Sequence, residues 1–313
     1  VPNSSLPRPV RGLFVGLATL DIIHRVDTPP GANEKITALA QFVAAGGPAA
    51  NAAVTFAALG GEATLLTALG AGTIADTIRS ELRSVGVTVI DSAPELRDAA
   101  PVSSVAVIDA TGDRSVIGGD ASGVTAPDPD PDLVTKLLAD ADVVLLDGHH
   151  LALARALSAA AASRGIPSVL DAGRWKPIMP DLVTRVSDVV ASADFLVPGT
   201  DSSEATATEL LRRGSQLVVA TAGAGPVRWW AKAHPGQEAP ASGAVEVPSV
   251  RAVDTLAAGD VFHGAYAYAL ASRAGVAQRI GFASEIAAVR CSMVGPRSWL
   301  AAVSHIPLSL TRE

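Results

Sequence analysis

Apolar positions along this chain recur with two periods in turn, every second residue or every third and fourth, and the exchange between them predicts the elements. "RGLFVGL" is a short apolar run before glycine and reads as a first strand, with shorter alternating stretches at 24–26 and 35–43. From Pro48 to Leu59 the period turns helical, Gly60 and Gly61 stop it, and "ATLLTAL" follows as a buried strand. Thr73 to Val85 is the next helix. "VSSVAVIDATGDRSVIGG" alternates too regularly for a helix and predicts a hairpin turning at Thr111 to Asp113. These short strands, from about 22–43 and 102–118, are expected to form a small sheet projecting from the main body.

After Asp132 the alternation is regular. A helix to Ala139, strand "DVVLLD", a helix from Leu151 to Arg164, strand "SVLDA" and a helix near Pro180 to Val186 come in turn. Strand segments near Val189 and Leu196, a helix from Ser203 to Arg213, strand "QLVVAT" and a polar loop from Ala233 to Gly243 continue it. The tail reads as two helices, Val261 to Ala271 and Val276 to Val289. Such alternation indicates an α/β fold, a central mostly parallel sheet with helices on both faces. Ligands of open sheets gather at the carboxyl ends of strands, which directs attention to the loops at Gly16, Gly46, Asp147, Asp171, Pro198, Thr221 and Asp254.

Composition narrows the picture. With 49% hydrophobic and only 4% aromatic residues, the core must be built from Ala, Val and Leu, as where helices pack on a parallel sheet. A length of 313 residues fits one large α/β unit. The net charge of −7 and four scattered lysines, Lys35, Lys136, Lys176 and Lys232, argue against a nucleic-acid surface. The uncharged run from Ile36 to Gly61 is broken by Gly46, Gly47 and Pro48 and does not suit a membrane span. Cys291 is the only cysteine, which excludes an internal disulfide and fits a reducing cytoplasm. Residues 1–10 read as a loosely ordered Pro-rich lead outside the fold, without the apolar stretch of a signal peptide.

The chemistry concentrates in "AVDTLAAGDVFHGAYAYAL", residues 252–270. Phe262, Ala265, Tyr266, Ala269 and Leu270 share one helical face, so a helix starting near Gly259 is held rigidly. Ala257, Ala258 and Gly259 leave the first-turn amides open to a bound anion, which the helix dipole also attracts. Asp260 at the edge of that nest is placed to take the proton of an attacking hydroxyl. The plainer alternative makes Asp260 a helix cap and Asp254 a turn residue.

Other motifs are set beside it. "GAGTIA", residues 70–75, satisfies the dinucleotide pattern with Asp91 near the expected acidic offset, so an NAD-dependent oxidoreductase is a rival reading. That fingerprint belongs in a first βαβ unit, whereas this one follows an earlier strand, and it leaves "DTLAAGD" unexplained. No Gly-Lys-Ser or Gly-Lys-Thr is present for a P-loop, and the six histidines have no zinc spacing. His149, with Asp147 and His150 closing "DVVLLD", is a candidate for the substrate pocket or for a solvated loop, and Asp171 and Arg174 end another strand.

"DTLAAGD" resembles the second signature of the PfkB, or ribokinase-like, carbohydrate kinases, and "AGGPAANAAVTFAALGG" the first, at the expected distance. The resemblance covers Arg11 to Pro307 and implies a ribokinase-like fold with the small sheet as a lid over the active site. It implies transfer of the γ-phosphoryl group of ATP to a primary hydroxyl of a furanose or ketose-like sugar or derivative, with Asp260 as base and the Ala257–Asp260 backbone as anion hole. Gly46, Gly47 and Asn51 match the family's sugar-binding residues, as does Asp21 after "GLATL". A Gly-Gly pair lets the chain approach a ring, and Asp with Asn offers acceptor and donor to vicinal hydroxyls. A turn before a helix explains the same glycines.

In "TAGAGP", Thr221, Gly223 and Gly225 resemble the family's ATP loop. "DSSE" stands where the family has Asn-x-x-Glu, so Glu204 matches the residue that orders Mg2+ through water, while Asp201 replaces the Asn; a capping pattern is the alternative. Asp254 and Leu256 resemble the loop that binds K+ in ribokinases. The paired acids of the family's Gly-Asp-Asp-x-x-Gly are missing from "GAGTIADT". Lids of the family often pair between subunits, so the resemblance is compatible with a homodimer through the lid. A nucleoside kinase of the same family and a sugar-binding protein without turnover are the other readings. "GDVFHGA" and "RIGFASEIAAVRCSMVG" resemble ketohexose and sulfosugar kinases most, which favours a sugar.

Overall fold

Parallel strands separated by helices build the body of the molecule, which a computed structural model describes for residues 8–97, 100–118, 126–233 and 241–308. The first part runs β1 (Arg11–Val15), β2 (Thr19–Val26), β3 (Ala40–Gly46), α1 (Pro48–Ala58), β4 (Glu62–Thr67), α2 (Thr73–Ser84), β5 (Val87–Asp91), β6 (Val102–Ile108) and β7 (Arg114–Gly118). Then come α3 (Pro131–Leu138), β8 (Val143–Leu146), α4 (Leu151–Ser163), β9 (Ser168–Ala172), α5 (Met179–Leu182), β10 (Asp188–Ala191), α6 (Ser203–Arg213) and β11 (Leu217–Ala222). The chain ends with β12 (Gly225–Ala231), β13 (Ser242–Val245), α7 (Ala258–Ala271), α8 (Val276–Cys291) and α9 (Leu300–Val303).

The main sheet has the order β13-β12-β11-β10-β9-β8-β1-β4-β5, parallel from β11 to β5 with an antiparallel edge at β12 and β13. Each central strand is buried on both faces, and β1 illustrates the period of two. Phe14 enters a core layer with α1, α7 and α8, while Leu13 and Val15 enter the layer beneath α3 to α6. Small residues let the helices sit close. At Gly264 on α7 an added Cβ would lie 2.3 Å from the Ala52 carbonyl oxygen on α1. Asp188 of β10 accepts from the Tyr266 hydroxyl at 2.7 Å and pairs with Arg279 at 2.6 Å, which ties the sheet to α7 and α8. Burial pushes its carboxyl above the usual range, against the pull of Arg279 and the Tyr266 hydroxyl.

The second sheet, β3-β2-β6-β7, is the small one expected from the short strands. Its inner face, Ile23, Val105 and Val107 with Phe42, packs on Leu256 and Ala257 just before α7. The register aligns Val43, Ile22, Ser104 and Ile117 across the other face, where Val43 and Ile117 are exposed. The β6–β7 turn is docked on the same loop. Thr255 donates backbone N–H and hydroxyl to the Gly112 carbonyl at 3.1 and 2.8 Å, and Arg25 reaches the Val253 carbonyl at 3.0 Å.

The expected α/β architecture is borne out, with differences in detail. The strand expected over 35–43 runs from Ala40 to Gly46, and β2 starts at Thr19. The segment near Leu196 is loop rather than strand, and the helix expected to Val186 ends at Leu182. β5, β12 and β13 add strands that periodicity did not separate from their neighbours. β12 opens with Gly225-Pro226, a pair that reads as a turn, and the pairing with β11 is irregular beside it. The polar loop expected over 233–243 falls largely on residues outside those described, yet Ser242 and Gly243 already belong to β13. Residues 1–7 of the expected lead also lie outside those described, and Arg8 pairs with Asp142 at 2.8 Å.

Candidate active site

Three chain segments converge at one end of the sheet: the β2–β3 pair, the start of α1 and the start of α7. Gly47 precedes α1 with φ 94°, a conformation that favours glycine, and a Cβ there would sit 2.5 Å from the Leu17 carbonyl oxygen. At Gly46 a Cβ would collide with the Asp21 carboxylate, so the missing side chain makes that carboxylate's place. Thr19 donates to Asp21 at 2.6 Å. Burial raises the Asp21 carboxyl above its usual range, while donors from Thr19 and Ser103 and the charge of Arg297 oppose the shift.

Asn51, in the first turn of α1, donates to Asp260 Oδ2 at 2.9 Å. Arg297 orients that amide by donating to Asn51 Oδ1 at 3.3 Å, and is itself held by Glu81 at 2.7 Å and the Ala45 carbonyl at 2.6 Å. Asp21, Asn51, Ala257 and Arg297 line one narrow crevice. Arg297 and Glu81 went unnoticed in the sequence, since no spacing links positions 216 residues apart.

Helix α7 opens on Ala257, which has φ 60°, and no side chain caps it. The Ala258 N–H turns to the Thr255 carbonyl at 3.3 Å, whereas among the described residues no protein oxygen accepts from the amides of Gly259 and Asp260. Space around the Gly259 Cα is open, with nothing within 4 Å of where a Cβ would stand. Ala258, Gly259 and Phe262 form one wall of a cleft of about 540 Å³, and Thr221, Gly223 and the 247–250 strip form another. Gly225 stands at the start of β12 beside this cleft rather than on its wall.

The electrostatics around Asp260 are unusual. Burial and the neighbouring Asp171 push its carboxyl up to about 7, against Asn51, His263 and Arg114. Asp171, at the end of β9, is also raised by burial, and lies 3.5 Å from the His263 ring. The two ring nitrogens of His263 face the carbonyls of Gly259 at 2.7 Å and Val190 at 3.1 Å, anchoring the first turn of α7 to β10.

Not every expected residue joins this centre. His149 lines a separate cavity of about 830 Å³ with Leu17, His150 and Arg155, apart from Asp21, Asn51 and Asp260. Asp147 beside it is a buried brace, accepting N–H groups of Leu17, Ala49 and His149 at 2.8, 3.2 and 2.8 Å. Burial alone would raise it, yet His149, Lys176 and those amides hold it below the usual carboxylate range. Glu204 is exposed in the first turn of α6, 3.9 Å from Arg228 and outside the cleft wall, with exposed Asp201 before it. Asp254 is buried and its carboxylate is occupied by Arg290 and backbone amides. Asp91, the acid of the dinucleotide reading, accepts from Leu69 and Gly70 at 3.0 and 2.9 Å and pairs with Arg79. It braces its own turn and offers nothing to a ribose, which overturns the oxidoreductase alternative.

The architecture is that of the ribokinase-like phosphotransferases, which act on hydroxyl groups. Residues 13–301 match the profile described as pfkB family carbohydrate kinase, and the chain belongs to that family. It is 23% identical to a ketohexokinase of Mus musculus over 304 residues, covering 90% of this chain and 96% of that one. A ribokinase of Mus musculus is 25% identical over 313 residues, covering 95% and 94%. The solved structure of an Arabidopsis thaliana ribokinase complexed with ribose and ATP superposes with a TM-score of 0.71 at 20% identity, covering 96% of this chain and 99% of that one. No helix among the described residues is long and apolar enough to cross a membrane.

Proposed function

We propose that the protein transfers the γ-phosphoryl group of ATP to a primary hydroxyl of a furanose or ketose-like sugar or sugar derivative. One observation carries this reading: Asn51, which lines the crevice with Asp21, donates to the Asp260 carboxylate at 2.9 Å, and Asp260 directly follows Gly259, which walls the cleft together with Thr221. A sugar held by Asp21 and Asn51 presents its hydroxyl to Asp260. The hydroxyl oxygen bonds to the γ-phosphorus, its proton passes to Asp260, and ADP leaves with the electrons of the broken bond.

Negative charge on the moving group meets the amides of Gly259 and Asp260, from which no oxygen among the described residues accepts, and the positive end of α7. Thr221 and Gly223, at the end of β11, are the residues for the nucleotide phosphates, and the open space at Gly223 suits close approach. Mg2+ would be held through water at Glu204, an exposed carboxylate in the first turn of α6 beside Arg228, and would neutralise phosphate charge. The ligands named for the Arabidopsis protein support the choice of sugar and ATP. The small sheet is read as a lid that excludes water, and its exposed Val43 and Ile117 as the face of a lid-paired homodimer. A cytoplasmic location accords with the single thiol of Cys291.

A coupled ADP-release screen across sugars, sugar phosphates and nucleosides tests the reading. The expected result is turnover with a free sugar; turnover with nucleosides alone would replace it by the nucleoside kinase. The pH profile provides a second check. The base must be ionised to accept a proton, and its value near 7 leaves it protonated below that pH. The free-enzyme kcat/KM is therefore expected to fall about tenfold per unit below pH 7 and to level off above it. A limb centred near pH 4 would show that the base is not raised by its burial and by Asp171, and a profile without any acidic limb would exclude Asp260 as the base.

A further inference from the structure

A monovalent cation held by the 254–257 loop would need several oxygens turned toward one void. Here the oxygens of Asp254, Cys291 and Met293 already accept from protein donors. Asp254, only 2% exposed, accepts from the Leu256 N–H through Oδ1 at 3.1 Å and from the Gly295 N–H through Oδ2 at 3.0 Å. The Cys291 carbonyl accepts from the amides of Val253 at 2.8 Å and Asp254 at 3.2 Å. Arg290, 1% exposed, donates through Nη1 to the carbonyls of Met293 at 3.0 Å and Asp254 at 3.3 Å. Its Nη2 lies 3.0 Å from Asp254 Oδ1 without being aligned as a donor, so that contact is one of charge. The donor set does not fit K+.

We propose that the guanidinium of Arg290 takes the place of a monovalent cation beneath the loop that opens α7, so that the enzyme works without potassium. A buried carboxylate and converging carbonyls need a positive partner, and a guanidinium supplies one that neither dissociates nor titrates. The charge fixes Asp254, which fixes the Leu256 amide and so the left-handed turn at Ala257 that aims the first amides of α7. Arg290 is thus a positioning residue. This inference rests on the reading of that helix start as the phosphoryl site.

Two measurements in KCl and in choline chloride at equal ionic strength test it. The unaltered enzyme is expected to release ADP at rates within about twofold in both salts and to melt at the same temperature. A several-fold activation by K+, or a melting point raised by K+ alone, would overturn the proposal. Arg290→Ala should lose about tenfold in kcat with KM for nucleotide little changed, and melt about 5 °C or more lower in choline chloride. KCl should restore part of both losses, because the space beside Asp254 is then free for the ion. Arg290→Lys should remain indifferent to the salt. An Arg290→Ala enzyme with full turnover in choline chloride would also overturn the proposal. Should Arg290→Ala fail to fold, the unaltered enzyme and Arg290→Lys decide. If no acceptor is phosphorylated at all, the kinase reading of the site fails, and the melting points still decide whether the loop takes a cation.

Discussion

Asp260→Asn is expected to cut turnover by about 10²- to 10⁴-fold while nucleotide affinity stays within about twofold. Asparagine has nearly the shape of aspartate, so the contact with Asn51 and the start of α7 persist while the proton acceptor is gone. The loss should appear in kcat and kcat/KM together, as for a group needed in the transition state. The limb near pH 7 should vanish from the residual activity, since the group responsible for it no longer titrates. Turnover within a few-fold of normal would show that another group takes the proton. Asp171, whose charge acts on Asp260, is an ionisable alternative, and the same pH profile would reveal it.

Gly264→Ala should be nearly as damaging, although it lies a full turn beyond Asp260 and touches no substrate. The new Cβ would stand 2.3 Å from the Ala52 carbonyl oxygen, 2.9 Å from the Ala52 Cα and 2.7 Å from the Thr55 Cβ. Two of those neighbours are backbone, so no rotamer change relieves the clash and α1 must separate from α7. Overpacking of this kind costs about 3 kcal/mol, which corresponds to a melting point lowered by roughly 5–10 °C. These two helices carry Asn51 and Asp260, and a shift approaching 1 Å between them should reduce kcat by up to about 10²-fold. Gly165→Ala is the control: it adds a Cβ in the left-handed region with open space around it, so it should cost about 1 kcal/mol and leave activity unchanged. Equal effects of the two substitutions would show that the α1–α7 contact does not set the site.

Much of the fold is legible before any coordinates, where local rules suffice. The α6 bounds, Ser203 and Arg213, follow from Ser202 as cap and Gly214 as stop. β9 is readable because a strand buried on both faces is a bare apolar run. The meeting of Asn51 with Asp260 was reachable only through two signatures taken together, since nothing local relates residues 209 apart. Arg290 and Arg297 were invisible for the same reason: an isolated arginine in a helix or after a proline looks like any solvated charge until its partners are in place. His149 shows the converse. A histidine closing a strand at the right end of the sheet is an obvious candidate, yet the turn carries it into the neighbouring cavity.

The docking of the β6–β7 turn on Thr255 has a mechanical consequence. Gly112 sits so close that a Cβ would lie 2.7 Å from the Val253 carbonyl carbon, so the hairpin tip and the strip ahead of α7 share a seam rather than a loose contact. Under the proposed function, a swing of this sheet to admit a sugar would pull on the peptide ahead of the α7 amides, so that acceptor entry and readiness of the donor side would keep step.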